Sequence, residues 1–482
     1  PAVPGGADHD HGEAAWRLRH LKRSVLKDAE PGVLTAEDDD SFWEDSFETI
    51  GRAMGHSARI ASSLFTELPL SGEVNFLTTT SFDQPQELLS MHVAPRSVAF
   101  VSLNAPMGAG DWNVRGAMTQ GDLASWVIAG SYVRRSPASH QYEAGLMYSM
   151  QSYRGGNPAA LAAVADGSRN AAAMYAYDLW TLRPGVTFHY GARYAKYDYL
   201  EDGGLFSPRL GVTFAPTNVL RVRFAASRRE MAPGAEEFIP QAALNVWLPP
   251  ERTFSPVSTR RGFQAERVQH YEVAAEHDMG GGVIMGLRAF RQRVNDQMVT
   301  LFGVSLPAGA SADIGHYYVA SGGHLEARGW GVGVSRTLTG RVRGSLDYTR
   351  TDADWIRRGP DWRVLSLVAP SANRAESETV HDLTTSLQTQ IPMTATRVYV
   401  LYKLNSGFTT TEAIDRSGRL GARFDVQINQ ALPFLNFTAA QWEMLLTVRN
   451  LFREDLLDAS MYDELLVLKP PKRIVGGVTV RF

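Results

Sequence analysis

From about Ser71 to Phe482 the chain alternates apolar and polar residues with a period of two. Successive strand side chains point to opposite faces, so a sheet with one apolar and one wet face produces this pattern. In the segment 220–227, Leu220, Val222, Phe224 and Ala226 fall on one face and Arg221, Arg223 and Ser227 on the other. Val186, Phe188, Tyr190 and Tyr194 oppose His189 and Arg193, and Leu346 and Tyr348 oppose Arg343, Ser345 and Asp347. Phe424, Val426 and Ile428 oppose Arg423, Asp425, Gln427 and Asn429, while Val398, Val400, Tyr402 and Leu404 oppose Arg397 and Lys403. These segments run for about 10–14 residues, beyond the five or six of an ordinary strand and enough for a tilted membrane crossing. A polar face rich in Arg and Asp suits a hydrated lumen rather than the core of a soluble sandwich.

Strands are predicted at 71–82, 98–107, 110–121, 124–136, 140–153, 171–183, 186–199, 205–216, 219–232, 266–279, 282–301, 320–338, 341–354, 382–391, 396–408, 421–433, 440–452 and 471–482. The fold class is all-β: a transmembrane antiparallel barrel of about eighteen strands, within a range of 16 to 22. Tight joins such as Pro184–Gly185, Gly280–Gly281 and Pro392–Ala395 carry turn-forming residues. They alternate, for the most part, with long joins at 83–97, 154–170, 233–265, 302–319, 355–381, 409–420 and 453–470. Short turns on one rim and long loops on the other are expected of an outer-membrane barrel, with the short turns and both chain ends in the periplasm.

Residues 1–68 read differently and form a separate, short, partly helical N-terminal region, periplasmic or lumenal; the barrel takes 69–482. The segment Glu13–Lys27 interleaves Trp16, Leu18, Leu21, Val25 and Leu26 with Arg and Lys, which predicts a basic helix. It suits either a packed surface helix or one set against anionic headgroups or in the barrel mouth. The acidic run Glu37–Asp40 and a candidate N-cap, Ser41, precede a second helical pattern over Phe42–Leu64.

Composition narrows the functions. A net charge of −3 and a pI near 6.5 give no reason to expect nucleic-acid binding. No run of about 18 apolar residues offers a transmembrane helix. Cysteine is absent, which excludes disulfides and thiolate metal sites. The chain starts at Pro1 without Met, so a leader or a longer N-terminal part is expected to precede it. Asp8, His9, Asp10 and His11 have donor chemistry for a divalent metal but no fixed geometry, and no metal or cofactor is expected. No Ser/His/Asp arrangement, phosphate loop or HExxH motif is present, so no enzyme activity is expected.

The candidate functional residues lie in the lumen, in one loop and at the C-terminus. Arg193, Arg221, Arg223, Arg343 and Arg423, with Asp347 and Asp425, are expected to face the lumen. The arginines either bias the pore toward anions or pair with carboxylates such as Asp347, Asp425 and Glu272. The longest join, 233–265, carries Phe238, Trp247, Phe254 and Phe263, for contact with a ligand or partner at the surface, for packing of the loop on itself, or for a lid over the pore. Phe482 ends an alternating strand in which Ile474, Gly476, Val478 and Val480 share its face. A terminal aromatic so placed resembles the signal read by the outer-membrane barrel assembly machinery.

The order of several stretches resembles the barrel half of a TonB-dependent receptor, across about residues 70–482. FAASRREMAPGAEE at Phe224–Glu237 resembles the family's strand-to-loop segment, and Glu266–Met298 resembles its hairpin, in which a glutamate follows a Tyr. Gly329–Tyr348 resembles the Arg-Gly strand and the Asp-Tyr-Thr strand after it, and VRNLF at Val448–Phe452 with the closing Arg481–Phe482 resembles the final strand pair. The resemblance implies a surface receptor for nutrient uptake or binding and a TonB-type energy-coupling partner. Outer-membrane lipid and lipopolysaccharide would surround it. The chain departs from the family in showing no plug-like segment, no TonB box and fewer than the roughly 22 strands of such transporters. The expected alternatives are a plugless scaffold for surface or periplasmic partners and a passive porin.

Overall fold

The computed structural model describes residues 71–82, 96–119, 123–134, 139–153, 168–200, 203–234, 253–257, 262–302, 316–337, 342–356, 361–369, 374–406, 421–432, 441–449, 467–468 and 472–481. The candidate metal donors 8–11, both N-terminal helical patterns, Phe238, Trp247 and Phe482 lie outside the described residues, as does the side chain of Arg423.

Eighteen strands close into one antiparallel barrel. In chain order its first half is β1 (Ser71–Phe82), β2 (Arg96–Met107), β3 (Gly110–Thr119), β4 (Leu123–Arg134), β5 (His140–Tyr153), β6 (Ser168–Arg183), β7 (Val186–Tyr197), β8 (Leu205–Phe214) and β9 (Leu220–Met231). The second half is β11 (Glu266–Gly280), β12 (Val283–Asn295), β15 (His324–Thr337), β16 (Val342–Ile356), β17 (Ser377–Ile391), β18 (Thr396–Asn405), β19 (Gly421–Ala431), β20 (Gln441–Arg449) and β22 (Lys472–Arg481). Each strand pairs with the next, and β1 also pairs with β22, Glu73 opposite Arg481, so no edge is left to seek another chain. Four short strands outside the barrel, β10 (Thr253–Pro256), β13 (Met298–Phe302), β14 (His316–Ser321) and β21 (Val467–Leu468), form a second sheet.

The two faces separate as the alternation predicts. Outward positions carry Phe76, Ile128, Leu146, Met174, Leu210, Leu287, Leu346 and Leu387, all exposed, as lipid-facing side chains should be. Aromatic pairs flank this band. Trp112–Tyr132, Tyr132–Tyr142 and Trp180–Phe188 stand toward the short-turn rim, and Trp126–Tyr148, Trp330–Tyr348 and Tyr402–Phe424 further toward the long-loop rim. Amphipathic rings favour such interfacial positions. The inward face carries charged side chains such as Arg209, Glu272 and Glu443 and, toward the long-loop rim, buried apolar ones such as Leu205 and Leu325.

The tight turns use the residues the sequence supplies. Gly185 has φ +81°, and a Cβ there would stand 2.6 Å from the Ala215 carbonyl oxygen, so the β6–β7 turn admits little else. Two predicted segments need correction. The segment 282–301 is two strands, because Asp296 at φ 55° ends β12 and turns the chain inward to β13. The segment 320–338 likewise opens in β14 and restarts at β15 after Gly322 and Gly323. The two breaks face each other: Gln297 N–H donates to Gly323 O at 2.8 Å and Gly322 N–H to Gln297 O at 2.7 Å. A short helix, α1 (Trp362–Val368), in the β16–β17 join was not expected from the sequence.

The barrel seam is held by an inward ion chain beside the short-turn rim. Arg481 donates to Glu73 at 2.9 Å and lies 3.1 Å from Glu443, which also pairs with Arg397. Thr479 donates to Asn75 across the same β22–β1 junction. Strands β1, β22, β20 and β18 are thereby linked side chain to side chain.

Candidate functional site

An eighteen-stranded barrel is wide enough for an aqueous channel unless something fills it. Here the long joins place a second sheet against the inner wall. The second sheet runs in the order β10-β14-β13-β21. Strand β10 comes from the β9–β11 join, β13 and β14 from the β12–β15 join, and β21 from the β20–β22 join. Phe254 pairs with Tyr317 in parallel register and Leu301 with Tyr318 in antiparallel register.

Both faces of this sheet are apolar, and each meets a different part of the barrel's inner wall. Phe254, Phe302, Tyr317 and Val319 pack with the inward Ala171, Ala195, Tyr197, Leu205 and Met231 of β6–β9. Val299, Leu301, Tyr318 and Ala320 pack with the inward Val268, Phe290, Leu325, Ala353 and Val380 of β11–β17. The sheet is therefore a lid seated inside the long-loop half of the barrel. Helix α1 backs it: Leu365 is buried in the second cluster, and Asp361 accepts from Ser321 N–H at 3.2 Å.

Two buried polar residues fix the lid. The Arg169 guanidinium is 1% exposed and stands 4.0 Å from the Phe254 ring centre, 5.1 Å from that of Phe263 and 5.2 Å from that of Tyr199. A desolvated cation on aromatic faces contributes about 2 kcal/mol. Glu266, also 1% exposed, accepts from Met298 N–H at 2.9 Å and from the Gln297 side chain at 3.2 Å, holding the chain where it leaves the barrel for β13. Tyr199 donates to Pro233 O at 2.7 Å, beside Gly234. Gly234 has φ +73°, and a Cβ there would stand 2.4 Å from the Phe254 ring. Gly234→Ala is expected to loosen the lid by about 1–3 kcal/mol through overpacking and backbone strain. The check is faster proteolysis of the 235–252 loop in folded protein; an unchanged rate would show that Phe254 shifts without cost.

A recess opens at the long-loop rim, lined among others by Pro233, Phe263, Asp296, Met298, Ser321 and Asp361. Below the lid the lumen is charged. Arg209 stacks 3.5 Å from the Tyr177 ring centre and lies 3.3 Å from His189 Nε2. Arg288 donates to Thr349 at 2.6 Å and stands 3.9 Å from Glu272, whose carboxylate also lies 3.7 Å from His270 Nε2. Across the barrel, Lys403 lies 3.5 Å from Asp382, which accepts from Asn405 at 3.1 Å.

The predicted lumen residues Arg193, Arg221, Arg223, Arg343, Asp347 and Asp425 fall on the inward face of their strands. Arg193, Arg221, Arg343, Asp347 and Asp425 all have interaction partners, and Arg223 lies in the field of Glu272 and Glu276. The structure does not gather these residues into one pocket; they are spread around the wall. Phe254 and Phe263 are buried between lid and wall rather than displayed to solvent. Sequence reasoning missed Arg169, Glu266, Tyr199 and Tyr317. The available signal was HYYVAS at His316–Ser321 and MVTLF at Met298–Phe302, apolar runs without alternation, as sheets covered on both faces show.

A closed antiparallel barrel with an apolar outer band between aromatic flanks defines an outer-membrane β-barrel. A profile of the family described as TonB dependent receptor-like, beta-barrel matches residues 35–440, and the chain belongs to that family. Among solved structures it is similar to the siderophore receptor PirA of Pseudomonas aeruginosa, with 13% identity, a TM-score of 0.39 and coverage of 86% of this chain and 81% of that one. It is similar also to the FrpB iron transporter of Neisseria meningitidis, with 14% identity, a TM-score of 0.42 and coverage of 86% and 70%. The ferric enterobactin receptor of Pseudomonas aeruginosa gives 14% identity, a TM-score of 0.43 and coverage of 86% and 67%. Membership rests on the family profile and not on these distant likenesses. No curated protein matches the chain.

Proposed function

We propose that the protein is a ligand-gated receptor that takes up a nutrient at the cell surface. In this reading the long-loop rim faces outward and the short turns and both ends of the barrel sheet face the periplasm, the usual arrangement of bacterial barrels. The observation that carries it is the lid. A passive porin keeps an open path, whereas here three joins are built into one sheet packed on both sides of the mouth. In this reading a solute passes when that sheet moves, so binding at the rim recess and movement of the lid belong to one event. Family membership supports a TonB-type energy-coupling partner on the periplasmic side.

Two measurements test this reading. In planar bilayers the full chain is expected to show rare, brief openings; a steady large conductance would overturn it in favour of a porin. An epitope inserted in the 235–252 loop is expected to be reached by antibody on intact cells, and accessibility only after outer-membrane permeabilisation would reverse the orientation.

A further inference from the structure

Strands β4–β7 place ionisable side chains on the lipid-facing surface, beside the short turns. The register sets Tyr142, Asp178 and Tyr190 side by side on β5, β6 and β7. Arg134 ends β4 next to them, its guanidinium 5.8 Å from the Tyr142 ring centre. This row faces outward: Tyr142 and Tyr190 are each 38% exposed, whereas the adjoining Glu143 and Tyr177 are buried on the inner face. Asp178 Oδ2 accepts from Tyr190 OH at 2.7 Å and stands 2.6 Å from His140 Nδ1. Asp178 Oδ1 and Arg134 Nε have no hydrogen-bond partner among the described residues. One row therefore holds a carboxylate and a guanidinium on either side of a tyrosine, on a surface where charge is least costly near the interface.

The surroundings supply the second observation. Toward the turns, His140 stacks on Trp180 at 5.5 Å and Trp180 meets Phe188, so aromatic faces border the charged row. Toward mid-membrane the next outward row is Tyr132, Ala144, Ala176 and Ala192, followed by the exposed Leu146 and Met174. The alanines leave a hollow between the charged row and those longer side chains. Beside the short turn of β17 and β18 the outward wall shows Leu387 with Val400 and Thr389 with Val398, so the charge pair belongs to one side of the barrel. A ligand matched to this row carries a negative and a positive group close together, with apolar chains that run along the wall. Guanidinium binds phosphate through charge-assisted hydrogen bonds, and an ammonium donates them to a carboxylate and sits well on aromatic faces.

We infer that β4–β7 form a binding site for a zwitterionic aminophospholipid, a phosphate and a primary ammonium on one headgroup. The ammonium lies at Asp178 and the phosphate at Arg134. The glycerol and acyl chains run over Ala144 and Ala176 toward Leu146 and Met174. Neither the lid nor the orientation of the barrel enters this inference.

The test uses the full chain in detergent and measures retained lipid by native mass spectrometry. The probes are phosphatidylethanolamine, phosphatidylglycerol and phosphatidylcholine with identical acyl chains. The parent is expected to retain phosphatidylethanolamine above the other two. Asp178→Asn is expected to lower that retention about tenfold without lowering that of phosphatidylglycerol, so the preference disappears. Arg134→Gln is expected to weaken both lipids, and Lys196→Gln, on the same wall at the other rim, neither. Undiminished phosphatidylethanolamine in Asp178→Asn would overturn the site. So would equal retention of phosphatidylglycerol or phosphatidylcholine by the parent, a comparison that stands even where a variant does not fold. A dimer of the parent that Asp178→Asn disperses would assign this face to a second copy and overturn the lipid site as well. Steady conductance or a reversed loop epitope would sink the receptor reading and leave this result standing.

Discussion

Phe254→Ala is expected to turn a quiet barrel into one that conducts. The Phe254 side chain is fully buried and touches three aromatic partners, Tyr199, Phe263 and Tyr317, with ring centres 5.3–5.5 Å apart. It also lies under the Arg169 guanidinium. Its truncation removes about 3–5 kcal/mol of packing and leaves a buried cation without its nearest face. The lid rests on short strands of two to six residues, so it has little reserve against such a loss. The barrel ladders do not depend on Phe254, and heat-modifiable gel migration should remain that of a folded barrel. Large openings in planar bilayers should become frequent. A variant that folds and stays as quiet as the parent would show that the lid is not what closes the mouth.

The second large effect is expected at the seam. Glu443 is buried and sits between Arg481 and Arg397, while Arg481 continues the chain to Glu73. Glu443→Ala leaves two cations facing each other without their shared counter-charge. Breaking one member of a buried ionic network typically costs about 3–5 kcal/mol. The loss falls on β18, β20 and β22, next to the junction where the barrel closes, so unfolding should begin there. The transition temperature read by heat-modifiable migration should drop well below the parent's, and Glu443→Gln, which keeps hydrogen-bonding capacity, should recover part of it. No drop in the alanine variant would mean that the ladder between β1 and β22 alone holds the seam.

The sequence shows the barrel wall clearly because each wall strand has one apolar and one polar face. Phe224 and Arg223, or Leu346 and Asp347, declare opposite sides without any knowledge of neighbours. Most wall strand ends fall within a few residues of the predicted ones for the same reason. The lid escaped because burial on both faces erases alternation. Met298–Phe302 reads as more of β12, and only the positive φ at Asp296 breaks it. Arg169 escaped for another reason: an arginine at the start of a strand looks like a solvated rim residue until Phe254 and Phe263 arrive from a join about 90 residues further along. The period puts the lumenal arginines on one face of each strand, but pairing across a barrel is set by closure rather than by any local spacing.

The lid joins segments that lie far apart in the chain, from Thr253 to Leu468. Surface joins of a barrel ordinarily vary one at a time, each changing without consequence for the next. Here a substitution in the 232–265 join must be accepted by Tyr317 and Val319 in another join and by Ala171 and Leu205 in the wall. Diversification of this surface is therefore expected to proceed by correlated changes in several segments, and a graft of one join from a relative should fail where a graft of the lid-forming joins together succeeds.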